Sequence, residues 1–526
     1  MGRFSLLHNI VIGARKSTLA KLQAYSVGSK MAKLSPQYKI EYKFQESAGD
    51  KDLTSPLWKM EGKGVFTRDL QVELIENRIH CIVHSWKDLD LEEREDTEVL
   101  SVLPREDQRD LLLFKRSVWN GKPPEKLIIC TSSPRREFNL AEFLPSYLPS
   151  RYKNSQISFE PIRGNIQTRI KKFLEGDSYS GLVVAKAAID RLLLAPSEFQ
   201  GLVPEDDYKE FVLIADQLRS YLDQSLPMIL PLSANPNAPA QGALAVEFLK
   251  SSKEFKTIFS KLTDRPTSEC TIEERKILGK FGGGCHQKIG VAIQEKSYGK
   301  VQFLRGLTDS GVKLSEMGIQ SRSKKSFARE EVWPPEGKML PRNRKRTDSN
   351  IPTNKDLFVA RSFALPQESI GTTWNQDPTK TVIWTAGLST WRDLAEQDLW
   401  VHGSTDSLGE SEPSLLDNIL GRELDFVKLT HKDSPPDNGN YPIHATYEVG
   451  EPEIPEDFDP TPIKAAFWRS GTEFNSVTKK FPELRNVTHY SGVGSTLEHI
   501  KKQGLEVEAF LSLSDWLNHI SNVRDS

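Results

Sequence analysis

Cys285 lies in the run GGGCHQKIGVA, where three glycines lay a bare loop around one thiol and leave its sulfur accessible for a covalent bond. A thiol presented this way can tether a cofactor, although a loop cysteine or a buried small residue would leave the same trace. In IVHSWKDLD an apolar strand ends in His84, Ser85, Lys87 and Asp88, which sets a cation and a carboxylate side by side at a strand terminus. Lys87 can clamp an anion there and Asp88 can work as an acid; a solvated strand-to-loop turn has the same composition.

TSSPRREFNLAEFL places Ser132 or Ser133 as an N-cap, Pro134 at the first helical position and Arg135 and Arg136 in the first turn. Cations oppose the helix dipole at that end. A bound anion would complete the arrangement, drawing backbone N–H groups and two guanidiniums onto a carboxylate or phosphate; the alternative is two arginines pointing into water. PIRGNIQTRIKKF repeats the device with Arg163, Gly164 and Asn165 before a helix that carries Arg169. Arg15 and Ser17 in IGARKSTLA and Lys63 in EGKGVF add cationic and hydroxyl groups at further strand–helix junctions. Bases scattered over so many segments suit a ligand with several carboxylates better than a single phosphate. Neither GxxxxGK[ST] nor an early GxGxxG is present.

These groups need a scaffold of strands and helices. From Ile10 to about Ala292, short β-branched runs alternate with helix-period segments, the pattern of α/β domains. Val11-Ile12, Cys81-Ile82-Val83, Leu127-Ile128-Ile129, Ile157 with Phe159, and Leu182-Val183-Val184 read as strands, and the motifs sit at their carboxyl ends, where open α/β sheets form their ligand crevice. Between Lys338 and Lys355 the sequence MLPRNRKRTDSNIPTNK has no apolar periodicity and reads as a linker or disordered tether, so a chain cut near Arg346 is expected to keep its chemistry. A second α/β pattern runs from Leu357 to Leu517.

The chain of 526 residues has room for about three to five domain-sized cores. With 37% apolar and 27% charged residues it has the composition of an ordinary folded protein. A net charge of -2 argues against wholesale nucleic-acid binding. Four cysteines without CxxC spacing imply no metal and suit a reducing compartment. The N-terminal MGRFSLLHNIVIGARK lacks a long apolar region, and no stretch reaches the roughly 18 apolar residues of a membrane span, so no membrane partner and a cytoplasmic, monomeric protein are expected.

Taken in order, IGARKSTLAKLQ, SAGD, GKGVFTRDL, IVHSWKDL, TSSPRR, IRGNIQTR, AQGALAVE and GGGC resemble the ordered motif set of porphobilinogen deaminase, also called hydroxymethylbilane synthase. The resemblance implies an α/β protein with two type II periplasmic-binding-protein-like domains (10–115 with 241–258, and 116–240) and a small α/β cofactor domain (262–335). It implies a dipyrromethane cofactor held by Cys285 through a thioether and contacted by Lys87, Ser133, Arg135 and Arg136. Asp88 would be the catalytic carboxylate, and Arg15, Ser17, Lys63, Arg163, Asn165, Arg169 and Gln241 would bind the substrate porphobilinogen. Four porphobilinogens would be joined head to tail with loss of ammonia. Trp86, Asp90, Ala14, Pro134 and Ala240 depart from the usual pattern, and the long stretch from Arg191 to Gln241, with LPLSANPNAPA, is expected to form an extra surface loop near the hinge.

After a linker at 336–355, residues 356–526 look like a shortened uroporphyrinogen-III synthase, a family of two α/β domains joined by a two-stranded ladder. Ser470-Gly471-Thr472 and Gly492 to Thr496 approximate its turns, which makes Ser470, Thr472 and Thr496 candidate site residues and implies a bifunctional enzyme. The alternatives are a deaminase with an inert or regulatory C-terminal domain, and a non-catalytic tetrapyrrole- or anion-binding protein.

Overall fold

Residues 8–46, 68–283, 287–320, 322–323, 325–347, 350–434 and 441–525 are described by a computed structural model. The apolar runs become buried strands: all six residues of Asp110–Lys115 are shielded, as are four of the five in Lys126–Cys130. Sandwiched strands of this kind carry continuous rather than alternating apolar sequence. The first sheet has the order Tyr38–Gln45, His8–Arg15, Cys81–Ser85, Leu244–Leu249, Thr97–Val102. The second has the order Gln156–Glu160, Lys126–Cys130, Tyr179–Ala185, Asp110–Lys115, Ser225–Ile229. In each sheet the fourth strand runs antiparallel to both neighbours, and it is the strand reached directly after the chain crosses from the other lobe. The two lobes thus share one plan, as expected of periplasmic-binding-protein-like folds, and are joined by crossings at 103–109 and 230–243. A helix, Arg265–Gly279, then leads to an antiparallel sheet of Gly290–Lys296, Gly299–Leu307 and Lys313–Ile319.

The stretch from Arg191 to Gln241 corrects the expectation of a surface loop. Its length is taken up by the end of the helix Lys186–Phe199, the helix Glu205–Leu222 and the strand Ser225–Ile229. LPLSANPNAPA is mostly buried, with Asn235 and Asn237 fully shielded. Proline and asparagine mark turns in sequence, but here the chain is a crossing between lobes in which Asn235 Nδ2 donates to Asp110 Oδ2 at 2.9 Å and Asn237 Nδ2 to Ala238 O at 2.7 Å.

The tether expected at 336–355 is likewise ordered over much of its length. Arg342–Arg346 is a strand, paired antiparallel with Ile443–Pro452 at the edge of a six-stranded sheet. That sheet continues through Phe426–His431, Asp356–Val359, Ile383–Thr385 and Gly403–Ser404. A separate four-stranded parallel sheet holds Val332–Trp333, Ala465–Trp468, Thr488–Gly492 and Val507–Phe510, so Val332 and Trp333 belong with the C-terminal strands rather than with the cofactor domain.

The C-terminal half is not a separable attachment. The edge strands Ser225–Ile229 and Gly403–Ser404 of two sheets meet, and Ile229 N–H donates to His402 O at 2.7 Å. One apolar cluster runs through both halves, from Phe114, Phe143, Leu226 and Met228 to Trp391, Trp400 and Leu429. Trp400 Nε1 donates to Pro227 O at 3.2 Å and Trp391 Nε1 to Tyr147 O at 3.0 Å. The Phe114 and Trp400 rings lie 5.3 Å apart. Cutting near Arg346 would therefore strip the cover from the second lobe. Trp400→Ala should cost about 3–5 kcal/mol, the scale for deleting a buried aromatic ring. Denaturant unfolding followed by probes in each half should show both destabilised together; a shift confined to the C-terminal half would show that the two do not unfold as one unit.

Candidate active site

The strand Cys81–Ser85 ends in a short turn, Trp86–Asp88, that leaves Asp88 exposed. Trp86 anchors the turn: it is buried among Ala240, Ala243 and Ala245, and its N–H donates to Ala243 O at 3.1 Å. These small alanines make the room that the larger tryptophan needs. A third support comes from Arg275 on the helix Arg265–Gly279, whose Nη1 donates to Trp86 O at 3.3 Å and Leu89 O at 3.0 Å, while Nη2 donates to Asp90 O. The same helix runs into Gly282 and Gly283; Gly283 has φ 65, a left-handed conformation that favours glycine, and packs against Leu91 beyond the turn. Cys285 and Lys63 lie outside the described residues.

Arg135 and Arg136 do not wait for a ligand. Asp110, fully buried at the start of its strand, takes Arg136 through Nε at 3.0 Å and Nη2 at 2.6 Å and Arg135 Nη2 at 3.0 Å. Asn235 Nδ2 at 2.9 Å and Gln241 Nε2 at 2.8 Å complete the shell. Burial opposes ionisation of Asp110, but the Arg136 and Arg135 charges outweigh it and hold the carboxyl far below its ordinary range. The anion that the sequence reserved for a ligand is thus supplied in the first instance by the chain itself. Ser133 caps the helix as expected, its Oγ accepting from Arg136 N at 3.4 Å.

Of the remaining cations, Lys87 and Arg169 interact electrostatically with Asp88. Lys87 Nζ donates to Gln241 Oε1 at 3.3 Å, and burial pulls its pKa down, with Asp88 opposing that shift and Arg136 adding to it. Arg169 Nε donates to Gly164 O at 2.7 Å; burial, with repulsion from Arg136 and Arg163, pushes its pKa down to about 10 against the pull of Asp88. Asn165 caps the helix Ile166–Glu175, accepting from Thr168 N at 2.9 Å, and Gly164 has φ 122, open to glycine. Arg15 ends the strand His8–Arg15, and Ser17 precedes the helix Thr18–Leu34 without a side-chain capping bond.

Sequence reading missed Asp110, Arg275 and Glu274. Glu274 is fully buried and accepts Arg105 through both oxygens, at 2.8 and 2.9 Å, together with the N–H groups of Ala240 and Ile293, each at 2.7 Å. The available signal was an acid opening the apolar run DLLLF, and a Glu-Arg pair about two turns before the glycine loop.

A family model described as porphobilinogen deaminase, dipyromethane cofactor binding domain, matches residues 10–257. A probable porphobilinogen deaminase of Sulfurisphaera tokodaii is 34% identical over 289 residues, 54% of this chain and 82% of that protein. The porphobilinogen deaminase of Caldicellulosiruptor saccharolyticus is 33% identical over 312 residues, 58% of this chain and 92% of that protein. The one of Desulfitobacterium hafniense is 31% identical over 323 residues, 60% of this chain and 92% of that protein.

The chain belongs to the porphobilinogen deaminase family. Its function is accordingly that of a hydroxymethylbilane synthase in tetrapyrrole biosynthesis, and the matched region is the domain that binds the dipyrromethane cofactor. The donor set fits such a group. Among the described residues Lys87, Arg136 and Arg169 lie within electrostatic reach of one another with Asp88 and Asp110 as their carboxylates, a positive setting that the carboxylate side chains of a dipyrromethane suit. Among the described residues no helix is long and apolar enough to cross a membrane.

Asp110→Asn in this deaminase keeps the side-chain shape but leaves two buried guanidiniums without their carboxylate. Breaking a buried ion pair of this kind costs about 3–5 kcal/mol. The variant should melt earlier and purify with less cofactor, read by intact-protein mass; a variant with parental melting temperature and full cofactor content would remove Asp110 from this organising role.

Proposed function

We propose that Asp88 is the catalytic carboxylate of porphobilinogen polymerisation and that Cys285 carries the dipyrromethane, in a cytoplasmic enzyme. The observation that carries this reading is the Trp86–Asp88 turn, which offers an exposed carboxylate among cations while Arg275 fastens it to the helix leading into the glycine loop. When bound, dipyrromethane supplies the free pyrrole carbon to which the first unit is joined. The carboxylate of Asp88 stabilises the positive charge left on porphobilinogen when its aminomethyl C–N bond breaks and ammonia departs, and it accepts hydrogen bonds from pyrrole N–H groups. Lys87, Arg163 and Arg169 hold acetate and propionate side chains by charge-assisted bonds, with Arg15, Ser17, Asn165 and Gln241 at the neighbouring strand and helix ends. Arg135 and Arg136 act chiefly through Asp110, keeping the anion-facing helix in place.

Asp88→Ala should leave the fold intact, since the side chain is exposed, and slow ammonia release from porphobilinogen by roughly two to four orders of magnitude. Near-parental turnover in a folded variant would remove Asp88 from the chemistry. In the same preparations the parent's mass should exceed that of the polypeptide by two pyrrole units and Cys285→Ser should lose the excess.

A second activity is favoured by the C-terminal half. Its two parallel-sheet lobes are joined by the antiparallel pair Arg342–Arg346 and Ile443–Pro452, the ladder expected of a uroporphyrinogen-III synthase. Ser470 and Thr472 share a hydrogen bond at 2.9 Å at the end of the strand Ala465–Trp468, and Thr496 Oγ1 donates to Arg469 O at 3.5 Å, so all three hydroxyls gather at one strand end. On this reading the full chain turns porphobilinogen into type III uroporphyrinogen, whereas released hydroxymethylbilane closes unaided to type I. Oxidation of the product and separation of the porphyrin isomers decides it: type I alone from the intact protein would leave only the deaminase.

A further inference from the structure

The two lobes of the deaminase half also touch away from their crossings. The helix Thr18–Leu34 of the first lobe starts one residue after Ser17, and Thr18, Lys21 and Tyr25 recur on it at the spacing of a single face. Opposite them stands the helix Glu205–Leu222 of the second lobe, whose Phe211, Ile214, Leu218 and Leu222 share an apolar cluster with Leu182 and Val184 of the second sheet. Lys21 Nζ donates to Asp207 Oδ1 at 2.7 Å and to Glu210 Oε2 at 2.9 Å. Thr18 Oγ1 donates to Glu210 Oε1 and Tyr25 Oη to Asp207 Oδ2, each at 2.5 Å.

These bonds are shielded enough to matter. The Lys21 and Asp207 side chains are only 14% and 17% exposed. Burial lowers the pKa of Lys21, but its hydrogen bonds to Asp207 and Glu210 outweigh that and hold it above its ordinary value. Charge-assisted bonds of this kind are stronger than pairs open to water. Tyr25 is buried between the lobes, its ring 4.5 Å from Tyr42 of the first and 6.2 Å from Phe211 of the second. In the first sheet His8–Arg15 lies two places from Leu244–Leu249 and three from Thr97–Val102, the strands at which the crossings arrive and leave. A rotation of the lobes about the crossings therefore acts through a lever of two strand spacings, about 10 Å, and strains all four bonds. The far end of the second helix is braced by the C-terminal half, where Arg219 Nη1 donates to Ile419 O at 2.9 Å and Nη2 to Asn418 O at 2.6 Å.

We propose that Asp207 and Glu210 are positioning residues for the deaminase: from the second lobe they latch the helix that follows Arg15 and Ser17, and so set the separation across the cleft between those two residues and Arg163 and Arg169. This deepens the reading of the cleft as the porphobilinogen site and rests on it. A substrate whose carboxylates are gripped from both lobes binds only when the lobes stand at one separation. Freeing the latch lowers the fraction of molecules competent to bind and raises the apparent dissociation constant by the same factor. Once porphobilinogen is bound it bridges the lobes itself, and the step at Asp88 proceeds as before.

The test uses the full-length holoprotein, with steady-state ammonia release from porphobilinogen and pulsed spin-label distances between Lys33→Cys and Lys171→Cys, exposed positions on the two lobes. Asp207→Asn combined with Glu210→Gln should broaden the distance distribution and raise KM about tenfold while kcat stays within about twofold. Lys21→Met removes bonds of the latch from the first lobe and should do the same, independently of what Asp207 contributes to its own helix. Lys21→Arg keeps the charge and the donors and should keep the parental KM. Asp206→Asn, exposed beside Asp207, should change KM by less than about twofold, which excludes a general charge effect. If the latch variants keep the parental distances, or widen them at parental KM, the positioning role is wrong. A fall in kcat at unchanged KM would overturn it as well. Arg15→Gln and Arg163→Gln test the cleft reading separately: parental KM in both would sink that reading, and the latch would still stand or fall on the distances and KM of its own variants.

Discussion

A single carboxylate that water does not reach, Asp110, sets the geometry on which the active site depends. It opens the strand that follows the first crossing, and its partners Asn235 and Gln241 lie in the second crossing, while Arg135 and Arg136 occupy the first turn of the helix Pro134–Tyr147. Removing an ion from water costs several kcal/mol, and the loss is recovered only when every lone pair is occupied in good geometry. Both crossings and the helix are therefore held in one mutual arrangement or the network fails as a whole. Glu274 repeats the device for the cofactor domain, tying Arg105 of the first crossing and Ala240 of the second to the sheet strand that contains Ile293.

Glu274 and Arg275 are adjacent on one helix but serve different ends. The acid faces the buried crossings, and the guanidinium reaches out to three carbonyls of the Asp88 turn. The helix that leads into Gly282 and Gly283 is thereby registered against the turn that carries Asp88, the carboxylate proposed above to act. Such positioning matters because charge stabilisation in a preorganised site falls steeply when the groups are misplaced.

The C-terminal half grips the same crossings from outside. Asp406 accepts from Ser233 N at 2.8 Å and from the Ser233 hydroxyl, and Arg109 Nη2 donates to Pro413 O at 3.4 Å and Ser414 O at 3.2 Å. Lys296 pairs with Glu412 at 2.7 Å, which adds the cofactor domain. The loop that makes these contacts carries Asp406 and Ser407 consecutively at φ 57 and 62, a left-handed conformation that costs non-glycine residues energy and persists only where surrounding contacts impose it. Two crossings, the cofactor domain and the facing lobe near Gly494 converge on this loop, so the halves of the protein share mechanical support as well as an apolar core.

Local chemistry was legible in the sequence because it is written in neighbouring residues. An N-cap at Ser132 or Ser133, the carboxylate at the end of the strand Cys81–Ser85 and the basic groups at strand termini all follow from side-chain type and short spacing. What the residues pair with does not. Asp110 gathers side chains from 25 to 131 positions away, so nothing near it in sequence foretells that it would neutralise Arg135 and Arg136. RNRKR has no apolar residue to mark it as a strand; it becomes one because Ile443–Pro452 offers an unpaired edge. LPLSANPNAPA has the composition of a surface turn and is buried because two lobes close around it and its asparagines find partners there. Propensity and motif act over a few residues, whereas burial of polar groups is affordable only when distant segments arrive together, and that is decided by the tertiary structure alone.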